Sequence, residues 1–228
     1  MGLIDTYGQH KNYSTPDMNP KKTASWMAKS DCHLLAILKC HFFEIGCDEG
    51  RVLAYHVAKG VENFIGIDPD NVSSDVVPHA VAAHYRQLGV EAFLASGAEG
   101  QKFDRVLMID VLEHFSVEEM IQLFRSLRPY LSDAAKLLVR VPNSASPWGQ
   151  QFHYGDLTHK SAYTPDSMRQ LAKAAHYHCL HCFPHRLGSP RRQLTERIMH
   201  GFLGWCVGTP LEFWTANFCA VLEPRTRP

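Results

Sequence analysis

Phe43-Glu44-Ile45-Gly46-Cys47-Asp48-Glu49-Gly50 is the stretch on which the fold turns. It closes a short apolar run, residues 41–45 (HFFEI), and leads into a short helix, residues 51–59 (RVLAYHVAK), stopped by Gly60. Glycines in such a turn let the backbone pass close to a ligand, and the helix N-terminus presents unpaired N–H groups. Alone, the turn is weak support: it arises by chance and also serves nicotinamide cofactors. Asp68 strengthens it. It ends a second apolar run, Phe64-Ile65-Gly66-Ile67, 22 positions after Gly46. A carboxylate there can accept both hydroxyls of a ribose, outside the carboxyl ends of parallel strands where nucleotides bind.

Working outward, Asp68-Pro69-Asp70 closes the second strand. Residues 76–88 have a helical pattern, and residues 92–95 read as a short third strand. Residues 103–109 (FDRVLMI) form a fourth strand and residues 136–141 (KLLVRV) a fifth. Between them, residues 117–131 form an amphipathic helix with Met120, Leu123, Phe124 and Leu127 on one face. Strand and helix alternate, which predicts a parallel sheet covered on both faces. Residues 142–163 read as loop. Thr164 caps a helix with Pro165 in its first turn, running to about residue 175. Residues 178–183 form a sixth strand and residues 218–222 the last. Between these, residues 193–207 form a helix with Leu194, Ile198, Phe202 and Trp205 at amphipathic spacing. Ahead of the sheet, residues 1–20 are a polar, turn-rich arm, and Trp26, Met27, Leu34, Leu35 and Leu38 give residues 21–40 helical spacing. The expected organisation is therefore an arm and helix over 1–40 and one domain over 41–228, with a lid-like insertion near 189–215.

Composition narrows the function classes. With 228 residues, 45% hydrophobic and 20% charged, the chain is an ordinary globular domain. Its 23 basic and 23 acidic residues cancel, so no nucleic-acid partner is expected. The 14 histidines would make it cationic below about pH 6.5. Seven cysteines without framework spacing read as reduced thiols in a cytoplasmic protein. The N-terminus lacks an apolar signal region, and no run is apolar enough to span a membrane.

EIGCDEG, then GIDPD, then FDRVLMIDVLEHF resemble the class I S-adenosylmethionine-dependent methyltransferases, in the right order and at the right intervals over residues 40–145. Within these segments VLEHF is the most specific. The later stretch, Val141-Pro142-Asn143 through Tyr154-Gly155-Asp156-Leu157-Thr158-His159 to Tyr163-Thr164-Pro165, is similar to a bacterial subgroup associated with cell-surface polysaccharide biosynthesis. The resemblance implies a Rossmann-like, seven-stranded, mostly parallel α/β sheet whose last strand is antiparallel. It also implies S-adenosylmethionine as cofactor.

Carried over residue by residue, Glu44 is the motif acid that organises the turn near the methionine end. Gly46, Cys47 and Gly50 contact the amino-acid part, Asp68 is the ribose acid, and Pro69 packs near the adenine. Ser96, Gly97 and Ala98 fall where the family has a loop over the adenine, and Asp110 and Val111 line the pocket. Two positions depart from the family pattern. Asp48 replaces the middle glycine; Asp tolerates left-handed backbone, yet its charge beside a carboxylate-bearing cofactor works against binding. Gly97 stands where Asp is frequent, which removes a hydrogen bond of about 0.5–1.5 kcal/mol. Both departures suit an alternative, a non-catalytic binding module of this fold. A nicotinamide-dependent oxidoreductase is a third reading, disfavoured by the downstream motif.

Methyl transfer needs alignment of the nucleophile and, for a hydroxyl, removal of its proton. His114, His153 and His159 are candidate bases, with Asp156 as an orienting carboxylate. A pocket histidine is as often a satisfied polar group as a base. The expected acceptor is a sugar or another small polar molecule. His176, His178, Cys179, His181, Cys182 and His185 suggest metal, but strand alternation should send Cys179 and Cys182 to opposite faces, so no metal is expected. Arg191, Arg192 and Arg197 beside Leu194, Ile198, Phe202, Leu203, Trp205 and Trp214 read first as a packed lid helix. The sharper reading is a surface for a membrane or a lipid-linked substrate.

Overall fold

In the computed structural model, residues 40–70, 76–97, 100–186, 188–208 and 210–225 are described. The arm and helix expected before Cys40 therefore lie outside the described residues.

Seven strands form one sheet in the order β3-β2-β1-β4-β5-β7-β6. They are β1 (Phe42–Ile45), β2 (Phe64–Asp68), β3 (Tyr85–Gln87), β4 (Phe103–Ile109), β5 (Leu131–Pro142), β6 (Tyr177–His185) and β7 (Asn217–Pro224). The first five pair in parallel, and β7 runs antiparallel between β5 and β6. The helices are α1 (Arg51–Ala58), α2 (His79–Ala82), α3 (Val90–Ala95), α4 (Val117–Leu127), α5 (Pro147–Tyr154), α6 (Pro165–Ala174) and α7 (Pro190–Cys206).

Strand alternation builds two cores. Phe43, Ile45, Ile65, Ile67, Val106, Met108, Leu137 and Val139 face α3, α4 and α6, whose Phe93, Met120, Phe124, Met168 and Leu171 complete that layer. Phe42, Phe64, Leu107 and Leu138 face the other side, where Leu53 and Ala54 of α1 and Val81 of α2 cover them. Helices on both faces follow from strands that are apolar on both faces.

The segment between β2 and β4 differs from its sequence reading. Only His79–Ala82 of residues 76–88 is α-helical, and Tyr85–Gln87 pairs with β2 as the third strand. The presumed strand at residues 92–95 belongs to α3, which buries Val90, Phe93 and Leu94 at helical spacing (i, i+3, i+4). Residues 147–154, read as loop, form α5. Ser146 caps it by accepting the Trp148 N–H at 3.2 Å, and Pro147 takes the first turn. Gly149 lets α5 lie on the chain beneath it: a Cβ there would stand 2.1 Å from the Asn143 carbonyl oxygen and 2.6 Å from that of Ala216. Thr164 caps α6 as expected, in a reciprocal pair of bonds with Ser167.

Candidate active site

The strand order reverses at β1, which pairs with β2 on one side and β4 on the other. Such a switch point opens a crevice beyond the carboxyl ends of the strands. The turn after β1 lies in it. Gly46, Asp48 and Gly50 all have positive φ, at 72°, 51° and 75°. Asp48 thus adopts the left-handed conformation that its replacement of glycine demands. Gly46 has a second reason to be glycine: a Cβ there would stand 2.4 Å from Val111 Cγ2, so the turn packs directly against the segment following β4.

Asp68 ends β2 and is buried. Its Oδ2 accepts the Asp48 N–H at 2.7 Å and its Oδ1 the Asp70 N–H at 2.9 Å. Glu44, 1% exposed, sits under the same turn. Burial first, then the charges of Asp68 and Asp48, push its carboxyl well above the ordinary carboxylate range. Its Oε2 is buried without a hydrogen-bond partner. An orphaned acceptor among carboxylates suits the ammonium and sulfonium charges of S-adenosylmethionine, and a left-handed turn leaves room for its amino-acid end. The residues present fit the cofactor. Burial pushes the Cys47 thiol up, so Cys47 contributes shape rather than a nucleophile. Pro69 follows Asp68 at the exposed rim.

Asp110, at the end of β4, has φ 55° and pairs with Arg140 of β5, which donates Nε–H to Oδ1 at 3.0 Å and a second bond to Oδ2. Ser96 and Gly97 are placed differently from the sequence reading. They follow the C-terminal end of α3, whose Leu94 carbonyl accepts the Tyr130 hydroxyl just before β5 begins. That is the end of the sheet remote from the crevice. The chain leaving the third strand toward the crevice is Leu88-Gly89; Ala98 lies outside the described residues.

The candidate catalytic residues come together. His114 closes a short helical turn, Leu112–His114, after β4. His153 is in the last turn of α5, and Asp156 and His159 are on the loop that follows. The Glu113 carbonyl binds this loop to the turn, accepting the Lys160 N–H at 2.7 Å and the Ser161 N–H at 3.1 Å. The His114 and His159 rings meet edge to face with centroids 4.7 Å apart, and His153 stacks on His159 at 5.6 Å. His159 Nδ1 bonds to the His153 carbonyl at 2.9 Å, and its Nε2 stands 3.9 Å from Asp156 Oδ2. Burial, then the neighbouring His159, lowers the His153 pKa.

Thr158 and Glu113 were missed in sequence. The Thr158 hydroxyl donates to Asp156 Oδ1 at 2.6 Å and meets His114 Nδ1 at 2.9 Å. The signal was present in the Asp-x-Thr spacing, which favours an Asx turn, here closed by Thr158 N–H to Asp156 Oδ1 at 2.9 Å. Burial opposes the charge on Asp156, yet these bonds hold its carboxyl below the usual range. Glu113 is buried; burial and then the Asp110 charge push its carboxyl up to about 8.

Cys179 and Cys182 depart from the expected alternation. A register shift between Cys179 and His181 sets Cys179 opposite Leu222 and Cys182 opposite Ala220, residues on one face of β7. The two sulfurs consequently lie 3.6 Å apart. The helix α7 buries no residue, and Leu194, Ile198, Met199, Phe202 and Trp205 are exposed. Tyr55 and Lys59 have the Tyr-x-x-x-Lys spacing of some nicotinamide reductases. They lie on α1 and just beyond it, with Lys59 Nζ 5.6 Å over the ring of a buried Tyr55, a packing contact rather than an acid–base pair.

A seven-stranded sheet, a glycine turn after β1 and an acid ending β2 define a methyltransferase of the Rossmann-like class. Residues 40–181 match the family model described as a methyltransferase domain, and the chain belongs to that family of S-adenosylmethionine-dependent methyltransferases. No curated protein sequence matches it. Solved structures share the fold. A SAM-dependent methyltransferase from Archaeoglobus fulgidus has a TM-score of 0.67 at 14% identity, over 90% of this chain and 99% of its own. An S-adenosylmethionine-dependent methyltransferase from Clostridium acetobutylicum has a TM-score of 0.62 at 8% identity, over 99% of this chain and 100% of its own. The plantazolicin methyltransferase BpumL in complex with SAH has a TM-score of 0.59 at 16% identity, over 97% and 91%. Among the described residues no helix is long and apolar enough to cross a membrane.

Proposed function

We propose that the chain methylates an oxygen of a sugar or another small polar acceptor. The observation that supports this is the cluster of His114, Asp156 and His159, on the segments that follow the carboxyl ends of β4 and β5, the first of which packs its Val111 against Gly46 of the turn. Glu44, Gly46, Cys47, Gly50, Asp68, Pro69, Asp110 and Val111 hold the cofactor in this reading, with Leu88 and Gly89 beside the adenine. S-adenosylmethionine, when bound, supplies a methyl group already activated on a sulfonium. The acceptor oxygen attacks that carbon in line with the C–S bond, the C–O bond forms, and the C–S electron pair stays on sulfur. The hydroxyl proton leaves to the histidine–carboxylate cluster, with His153 fixing His159 through its carbonyl.

The test is transfer of labelled methyl to a panel of sugars and other small polar acceptors by the parent, His153→Ala and His159→Ala. The expected result is intact S-adenosylhomocysteine binding in all three, with turnover reduced at least tenfold in one or both variants. Parent-like turnover in both would remove the catalytic assignment, and cofactor binding with no acceptor methylated would favour the non-catalytic module.

The exposed apolar side chains of α7 favour a finer version, in which the acceptor is lipid-linked and α7 rests on a membrane surface. Arg191, Arg192 and Arg197 supply the charge for anionic headgroups. Anionic liposomes should carry the parent on flotation and leave the Phe202→Ser/Trp205→Ser variant behind; equal flotation would sink this version. A cytoplasmic setting suits the buried thiols of Cys47 and Cys219.

A further inference from the structure

We infer that His114, Asp156 and His159 form a binding site for one divalent first-row transition ion. This reverses the sequence expectation of no metal, and it locates the metal away from the cysteine–histidine strand that had suggested one. One ring nitrogen of each histidine and one carboxylate oxygen of Asp156 all lie within 4.8 Å of one another. Tetrahedral ligands at roughly 2.0–2.1 Å from an ion stand about 3.4 Å apart. The 3.9 Å between His159 Nε2 and Asp156 Oδ2 therefore needs a closure of only about half an ångström.

The hydrogen bonds fix which atoms are lone pairs. The His153 carbonyl can only accept, so His159 Nδ1 is the donor and His159 Nε2 faces Asp156 as an acceptor. The Thr158 hydroxyl donates to Asp156 Oδ1 and meets His114 Nδ1, so it ties the carboxylate to the second ring. The His159 ring is thus oriented through its Nδ1 by a second group, the support that metal-bound histidines require. Beside them Glu113 is 1% exposed and neither of its carboxyl oxygens has a hydrogen-bond partner.

Two imidazoles and one carboxylate suit zinc, cobalt, iron or manganese, whereas magnesium and calcium prefer oxygen shells. Three protein ligands leave a position open. The catalytic use of the ion rests on the proposed function and replaces its proton acceptor: a hydroxyl coordinated there would lose its proton to bulk water near neutral pH, because the ligating nitrogens could no longer take it. Binding of the ion does not rest on it.

The test is a titration of untagged, chelator-stripped protein with cobalt(II) chloride, followed by calorimetry and by the visible absorption of the ion. The expected result is one equivalent bound, with affinity reduced at least tenfold in His159→Gln and His114→Gln. Thr158→Val, which removes only the supporting hydroxyl, should weaken cobalt by roughly 10–100-fold, and Cys179→Ser/Cys182→Ser should leave it unchanged. Circular dichroism and S-adenosylhomocysteine binding report that each variant is folded. No cobalt binding, or binding that His159→Gln keeps and Cys179→Ser/Cys182→Ser loses, would overturn the site while leaving the methyltransferase reading intact. Cobalt binding as expected with no acceptor methylated would do the opposite.

Discussion

The Asp48 backbone N–H donates to Asp68 Oδ2 at 2.7 Å, so the turn after the first strand holds the acid at the end of the second. A carboxylate bonded by two amides is oriented before any ligand arrives. The contact is made by Asp48 in left-handed backbone at φ 51°.

Asp48→Gly separates the backbone requirement from the side chain. Glycine keeps the N–H and the positive φ, where a side chain costs up to about 1–2 kcal/mol. It also removes one of the charges acting on Glu44. The variant is expected to bind S-adenosylhomocysteine severalfold more tightly by calorimetry and to melt no lower than the parent. Weaker binding would mean that the Asp48 carboxylate itself holds the cofactor.

Gly149→Ala and Gly201→Ala are a matched pair. At Gly149 the new methyl meets two backbone carbonyls within 2.6 Å, so α5 must lift from β5 and β7. The expected cost is about 2 kcal/mol, a fall of roughly 4–8 °C in Tm. At Gly201, inside α7, nothing stands within 4 Å, and alanine should raise Tm by about 2–4 °C through helix propensity. Equal shifts at the two sites would contradict the packing of α5.

Acid sensitivity should trace in part to His56. It is 1% exposed, lies tilted against Phe42 with centroids 4.5 Å apart, and neither ring nitrogen has a partner. Burial lowers its pKa to about 4 in the fold, against about 6.5 unfolded. Above about pH 6.5 both states hold a neutral ring. As pH falls toward about 4 only the unfolded state takes the proton, so stability declines by up to about 3 kcal/mol and then levels. His56→Leu should lose this component, with a smaller drop in Tm between pH 7 and pH 4.5. An unchanged pH profile would place the acid sensitivity elsewhere.

Much of this was legible because the decisive residues carry their reasons locally. Glu44 to Gly50, Asp68 and Thr164-Pro165 each dictate a turn, a strand end or a cap from their own chemistry. The third strand was not legible: β3 has three residues, none fully buried, and its pairing with β2 decides its state. With that strand at Tyr85–Gln87, Ser96 and Gly97 follow α3 rather than a strand end. Ser146-Pro147 carries the cap and first-turn signal of α5 within a stretch otherwise rich in turn residues. The Cys179–Cys182 contact depends on a bulge that alternation does not foresee. His114 and His159 were nameable separately, but their approach depends on Lys160 and Ser161 reaching back to the Glu113 carbonyl, a tertiary bond between two loops.

Calorimetric titration of S-adenosylhomocysteine into the parent and Asp68→Asn tests the cofactor grip most directly. The expected result is one site in the parent, weakened at least tenfold in Asp68→Asn, in line with about 1.5–3 kcal/mol for charged hydrogen bonds. No binding by the parent, or equal binding by both, would contradict it.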